Sequence, residues 1–360
     1  MNPSIKFVDS EKSQFFSILK SRVDQYFQKN QLSKHANGFM IFKTVFYLTL
    51  SALCYTLIII NVFPLLVQLF LAIILGISMA CIGFNVCHDA LHGSYSSNSI
   101  VNKCLGFLFN VIGANSYLWK ITHNQIHHTF TNIAGHDGDI EIAPGLIRVS
   151  ASDKRNKIQK YQHIYAFFLY SLTSLSWFFR KDYMKFFSEK IGAHKNNHPK
   201  IQYFNLFFFK FIYYTIFIII PLLVLNLTWW QFLIGYLIMN FAEGLMLALV
   251  FQLAHLVEGT DIKNPGEDEN IEEAWAIHQM RTTANFARKS WLANFLCGGL
   301  NLQIEHHLFP KVCHIHYAKI SDIVRETALE FNLPYHENKN FFSALKSHYQ
   351  TLKVMGRASY

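Results

Sequence analysis

Charge is scarce in this chain. Asp, Glu, Lys and Arg make up 15% of its 360 residues, against about 25% in an average soluble domain, so the composition leans toward the bilayer. Cysteine is sparse as well: Cys54, Cys81, Cys87, Cys104, Cys297 and Cys313 form no C-x-x-C pair and no dense framework. They read as reduced thiols in a membrane or cytosolic setting. There is no G-x-G-x-x-G, no Walker loop, no internal repeat and no low-complexity tract, so no built-in nucleotide or flavin site is expected and no nucleic-acid partner. Residues 1–38 are polar and charged without the ordered regions of a secretory signal, so a cleaved signal peptide is not expected either.

Apolar runs are what the chain has in plenty. Four segments, about 39–60, 64–86, 203–225 and 229–254, approach the roughly 20 residues that a membrane-crossing helix needs. They come as two tight pairs, joined by Asn61 to Phe63 and by Asn226 to Thr228. Of the 32 Lys and Arg, six lie in 1–38, thirteen in 87–202 and eleven in 256–360, with Lys43 and Lys210 near span entrances and none in the two short turns. The positive-inside rule then points both hairpins away from the cytoplasm. Two shorter apolar stretches, 104–119 and 163–179, suit helices lying in the interface. A crossing by 163–179 would put the last histidine group on the opposite side from the others. The fold class read from this pattern is an all-α membrane protein: four transmembrane helices in two hairpins under a cytoplasmic helical cap.

The expected domains follow: an interfacial N-terminal segment at 1–38, a transmembrane core at 39–260 with a cytoplasmic insertion at 87–202, and a cytoplasmic cap at 261–360. Residues 9–30 place Phe15, Phe16, Leu19, Val23, Tyr26 and Phe27 on one helical face, the pattern of an interfacial helix. Segment 315–333, with Ile320, Ile323, Val324 and Phe331, reads as a soluble cap helix. The net charge of +9 fits positive-inside bias and anionic lipid; docking of an acidic electron carrier or a phosphate-bearing substrate is the other reading.

Histidine is abundant, 18 residues, and unevenly placed. "HDALH" gives His88 and His92. "HNQIHH" gives His123, His127 and His128. The fourth span ends at His255, and "QIEHH" brings Gln303, His306 and His307. Residues i and i+4 share a helix face, so His88/His92, His123/His127 and Gln303/His307 can each ligate from one side. All four groups fall at the same membrane edge. Eight clustered imidazoles cannot all be charged, and buried unpaired polar groups cost several kcal/mol; neutral ligands around metal ions resolve both problems. Imidazole suits zinc, copper, iron and nickel alike, but eight or nine ligands imply two ions. A histidine-rich iron pair beside lipid suggests O2 activation. The Glu and Glu-x-x-His ligands of soluble di-iron bundles are absent. Isolated histidines such as His163, His194 and His348 read as surface or hydrogen-bonded residues.

These motifs carry a resemblance. "HDALH", "HNQIHHTFTN" and "LNLQIEHHLFP", with their spacing around two hairpins, resemble those of the membrane fatty acid desaturases, over roughly residues 40 to 355. Gln303, where other branches have histidine, is typical of the front-end type, which desaturates between an existing double bond and the carboxyl end. Residues 275–317 look much like bacterial acyl-CoA or linoleoyl-CoA desaturases. The resemblance implies His88, His92, His123, His127, His128, His306 and His307 as ligands of two iron ions with O2 as co-substrate. His255 matches a further ligand from the fourth span, and Gln303 is a candidate ninth. Phe251 stands where some animal relatives hold a water-binding asparagine. The "HPGG" of a fused cytochrome b5-like domain is missing, so the expected partners are a fatty acyl-CoA or acyl-lipid, membrane lipid and a separate ferredoxin- or cytochrome b5-type donor. Catalysis needs no side chain beyond the metal centre, and the expected location is a multi-pass bacterial inner-membrane protein with a cytoplasmic catalytic face.

Further candidates surround the ligands. Asp89, flanked by two of them, is expected to orient a ligand ring. Asp137 and Asp139 in "GHDGDIEI" either do the same or build a Gly-rich turn. His278, His314 and His316 have a site role or a structural one. Glu243 sits mid-span, where charge is expensive; it bonds Asn240 or a neighbouring helix, or else Glu243 and Asn240 line a narrow apolar substrate tunnel whose depth selects the carbon. Two alternatives remain open: a hydroxylase of the same fold, and a metal transporter, which would put ligands deep in several spans.

Overall fold

A computed structural model describes residues 5–10, 12–150, 153–192, 194–264 and 270–358. The chain is mostly helical, with three short two-residue strand pairs among the described residues. Four helices are long and apolar enough to cross a membrane: Gly38–Ile59, Leu65–His92, Lys200–Val224 and Trp229–His255. They hold 22, 28, 25 and 27 residues, or about 33–42 Å at 1.5 Å per residue, against a hydrocarbon core of about 30 Å. Asn37 caps the first by accepting from the Met40 amide, and Thr228 with Gln231 forms a capping box at the last. Their outer faces show Phe42, Val45, Phe204, Phe211 and Leu223, bare apolar surface of the kind that lipid covers.

We number the helices that matter below in chain order: α1 (Phe15–Lys29), α2 (Gly38–Ile59), α3 (Leu65–His92), α4 (Lys200–Val224), α5 (Trp229–His255), α6 (Gln303–Leu308) and α7 (Tyr317–Glu330). α3 and α5 form the central contact. Any Cβ at Gly76 would collide with the Met239 carbonyl, so glycine lets the two backbones touch. The shorter apolar stretches form helices Ser99–Val111 and Gln162–Ser171. Neither reaches spanning length, and the second packs against α5.

The N-terminal helix departs from the expectation. α1 buries Phe15, Leu19, Val23 and Phe27 in a cluster with Met280, Leu302, Ile304 and Val324, and Arg22 pairs with Glu330 at 2.7 Å. Its apolar face is taken up by the C-terminal segment rather than by lipid. Periodicity found the buried face but could not say what covers it.

Candidate metal centre

α3 does not stay α-helical to its end. At Gly83–Cys87 it widens into a π turn and then closes again at His88–His92. "HNQIHH" sits in a second π segment, Lys120–His127, where the His128 amide donates to the His123 carbonyl at 3.0 Å. A wider turn sets i+4 and i+5 on either side of i. His127 and His128 accordingly lie almost equally far from His123, with ring centroids 5.0 and 4.9 Å away. An α-helix would have turned His128 aside.

The third group arrives on a tight approach. Gly298 has φ 59°, and a Cβ there would strike the Phe84 backbone. The loop thus lies directly on the π turn of α3 and delivers α6 beside His88. His306 comes within 4.5 Å of His88 and 4.6 Å of His128, centroid to centroid. His255 at the end of α5 is 4.7 Å from His127 and 5.1 Å from His307.

All eight histidines are buried, and they fall into overlapping groups. Each group's ligand-type atoms lie within 4.8 Å of one another: His88, His92, His123 and His306; His127, His255 and His307; His128, His306 and His307. Four of the rings are held from outside. His127 Nδ1 donates to Asp137 at 2.8 Å and His123 Nδ1 to Asp139 at 3.3 Å. His307 Nδ1 lies 2.7 Å from Gln279 Oε1 and His306 Nδ1 3.3 Å from the Tyr317 hydroxyl. The inward nitrogens are not. His88, His92, His123, His127, His128, His255 and His306 each keep a buried ring nitrogen without a hydrogen-bond partner, as does Gln303 Oε1. Gln303 Nε2 is 2.9 Å from His255 Nε2. Unpartnered buried nitrogens cost free energy, and groups of ligand-type ring atoms within 4.8 Å of one another fit metal cations.

Burial and the neighbouring imidazoles push His128, His306 and His307 well below the usual histidine range, and burial takes His123 down to about 3. All four are held neutral, as ligands must be. Burial also lowers His127, but the charge and hydrogen bond of Asp137 outweigh it, and the net shift is upward. Asp139 is raised by burial yet ends well below its usual value because Lys185 and His123 face it.

The other candidates fall out variously. Asp137 and Asp139 face ligand-type rings. One oxygen of Asp89 accepts from His314, at 2.9 Å from Nδ1 and 3.1 Å from the amide, and the other lies 3.9 Å from His88 Nδ1. His278 bonds Glu273 and the Thr131 carbonyl, His316 the His35 carbonyl, and His348 the Leu256 carbonyl and Tyr170. His163 is buried against Tyr349; the side chain of His194 lies outside the described residues. Sequence reasoning missed Gln279, Tyr317, Thr131 and Asn132. The Asn132 side chain donates to the carbonyls of His255, Asp261 and Thr282, and the Asn132 backbone N–H donates to Asp137. The "HHTFTN" run flanking His128 was the available signal for the last two.

A cavity of about 140 Å³ opens beneath the rings, bounded by His88, His123 and Gln303 on one side and by Trp119, Trp177 and Phe251 around them. A second, of about 190 Å³, lies between the spans near Leu65 and Leu225. Asn240 and Glu243, expected either to bond each other or a neighbouring helix or else to line the tunnel, border neither cavity. Asn240 donates to the Tyr236 carbonyl and accepts from Ser174, and Glu243 makes no hydrogen bond among the described residues, Oε2 being buried without a partner.

Residues 64–339 match the fatty acid desaturase family. The chain is 36% identical over 359 residues to the sn-1 linoleoyl-lipid 6-desaturase of Synechocystis sp., covering 99% of this chain and 98% of that protein. It is 35% identical to an acyl-lipid (8-3)-desaturase of Physcomitrium patens, covering 98% and 74%. A probable Delta(5) fatty acid desaturase of Dictyostelium discoideum shares 33% over 96% and 77%. With the histidine groups, the four apolar helices and a match of this extent, the chain belongs to the fatty acid desaturase family, an oxidoreductase that desaturates fatty acyl chains.

Proposed function

We propose that this protein is an O2-dependent front-end acyl-lipid desaturase, inserting a cis double bond between an existing one and the carboxyl end. The observation that carries the reading is the set of inward, unpartnered imidazole nitrogens directly over an apolar cavity. The residues fit two ions. His88, His92, His123 and His306 would hold one and His127, His255 and His307 the other, with His128 between them and Gln303 as an oxygen donor beside the second. Iron bound there would supply the oxidising power to remove two hydrogens from an unactivated methylene pair, with O2 and two electrons from a separate ferredoxin- or cytochrome b5-type carrier.

The chain's own residues position and exclude. Trp119, Trp177 and Phe251 keep water from the reacting carbons and press the acyl chain under His88 and His123. Asp137, Asp139, Gln279 and Tyr317 fix each Nδ1, so that each Nε2 lone pair points inward. The names of the relatives, 6-desaturase and (8-3)-desaturase on acyl lipids, support both the lipid carrier and the front-end position.

The four apolar helices would insert as two hairpins. The connections at 60–64 and 225–228 carry no Lys or Arg, which favours their facing away from the cytoplasm and the histidines facing it; in a bacterium this is the inner membrane. The test is a fatty-acid profile by gas chromatography–mass spectrometry in a host fed linoleic acid. Wild type should yield a new double bond nearer the carboxyl end, and the His306→Ala/His307→Ala variant none. A wild type yielding hydroxylated chains instead would sink the desaturase reading.

A further inference from the structure

One wall of the cavity under His88 and His123 has a chemistry that the metal centre does not explain. Thr173, Trp177, Lys181 and Lys185 recur every fourth residue along the helical stretch 173–187, and all four line the cavity. At roughly 1.5 Å per residue they cover about 18 Å of wall. A hydroxyl, then an indole, then two ammonium groups face the space in order.

Of the four charged side chains lining it, three have a partner of opposite charge. Lys185 lies 3.3 Å from Asp139. Asp182 takes Lys210 at 2.7 Å and the Trp177 indole at 2.9 Å. Lys181 is different: among the described residues its ammonium reaches no carboxylate and donates only to the Glu141 carbonyl, at 3.2 Å. Burial, with Lys185 beside it, lowers its pKa to about 8, so it remains a cation at neutral pH but a poorly compensated one. An ammonium has three donors, and among the described residues Lys181, which lines the cavity, uses one of them on the Glu141 carbonyl.

An acyl substrate carries one strong acceptor, the carbonyl oxygen at its carboxyl end; the rest is methylene and olefin. A chain in an apolar groove has no register of its own, because every methylene fits where its neighbour did. We infer that Lys181 holds the substrate's acyl carbonyl and so fixes, from the carboxyl end, which carbon pair lies under His88 and His123. The inference rests on the desaturase reading. Lys181 is then a positioning residue that sets the site of the double bond without taking part in the oxidation.

The test uses the purified full chain, iron-loaded, in phosphatidylcholine vesicles with a reduced electron carrier and a linoleoyl chain presented either on glycerolipid or on CoA. Lys181→Met should spread the new double bond over adjacent positions or raise KM about tenfold or more, the loss of one charge-assisted hydrogen bond. Its kcat should stay within a few-fold, and Lys181→Arg should restore wild-type behaviour. Iron content and thermal melting are read first; if Lys181→Met does not fold, Lys181→Gln, of similar length, should raise KM in the same sense. Unchanged position and KM in the folded variant would overturn the inference. A defect confined to one carrier would overturn it too, since the contact would then be to that carrier's phosphate rather than to the shared carbonyl. Absence of any desaturated product from wild type is a failure of the desaturase reading instead, and is scored before any variant is compared.

Discussion

The two halves of the histidine cluster are built from the same side chain but placed differently. His88 and His123 border the cavity, and with His92 and His306 they make an all-imidazole group. His127, His255 and His307, like His92 and His306, do not border that cavity. They sit behind, tied to Asp137, to Gln303 and to Gln279. The front group has its weaker holds, 3.3 Å from His123 to Asp139 and 3.3 Å from His306 to Tyr317, and His88 has no partner for either ring nitrogen. The back group is fixed at 2.7–2.9 Å. On the proposed reading His88 and His123 of the front group would meet the substrate, while the back group is held by the shorter contacts.

The comparison breaks first at the ligands. His88→Ala and His127→Ala should each abolish detectable desaturation, with bound iron falling from two ions to about one per chain. The His127 variant should also melt at a lower temperature, since its ring is tied to Asp137 and, through it, to Asn132. Retained activity in either variant would mean that the ring is not a ligand. The next effect is smaller. Asp137→Asn should cost about 10–100-fold in activity or iron affinity. Asp139→Asn should fall at or below the lower end of that range, because its bond to His123 is longer and Lys185 shares it. Equal losses would erase the distinction between the halves. Gln279→Leu and Tyr317→Phe come below these, at about tenfold or less, and Gln279→Leu should be the worse, its contact being 2.7 Å against 3.3 Å.

Part of this was legible in the sequence because part of it is periodic. The four apolar runs appear within a few residues of where they were expected, and His88 and His92 share one α-helical turn and one group, whereas His123 and His127 lie in a π segment and fall in different groups. The π segment at Lys120–His127 was not legible, since nothing in "KITHNQIH" announces i→i+5 bonding; the doubled histidine gains its meaning only after the turn widens. Residues that hold a ring from the outside were largely hidden. Gln279 and Tyr317 lie 28 and 11 residues from their partners, and the eye goes to His278 instead. Asp89 has its nearer partner far along the chain: one oxygen takes His314 at 2.9 Å while the other stays 3.9 Å from His88.

The smallest predicted effect sets His127 apart from the other imidazoles, His307 of its own group included, by proton linkage in protein stripped of iron and melted in detergent. His123, His128, His306 and His307 are depressed in the folded chain. Below about pH 6.5 the unfolded chain therefore takes up protons that the folded cluster refuses, and stability falls as the pH is lowered. For His123 the fall continues down to about pH 3. His127 has the opposite sign. Its folded pKa is raised by Asp137, so its contribution is fully present below about pH 6.5 and is lost as pH rises through the folded value. It offsets none of the loss further down, but near neutrality it works against its neighbours. Melting temperature should drop steeply from pH 6.5 to 5. Asp137→Asn should remove the His127 contribution, so that the variant loses more stability relative to wild type at pH 6 than at pH 8. A variant whose deficit is the same at both pH values would show that Asp137 holds His127 by geometry alone, without stabilising its charge.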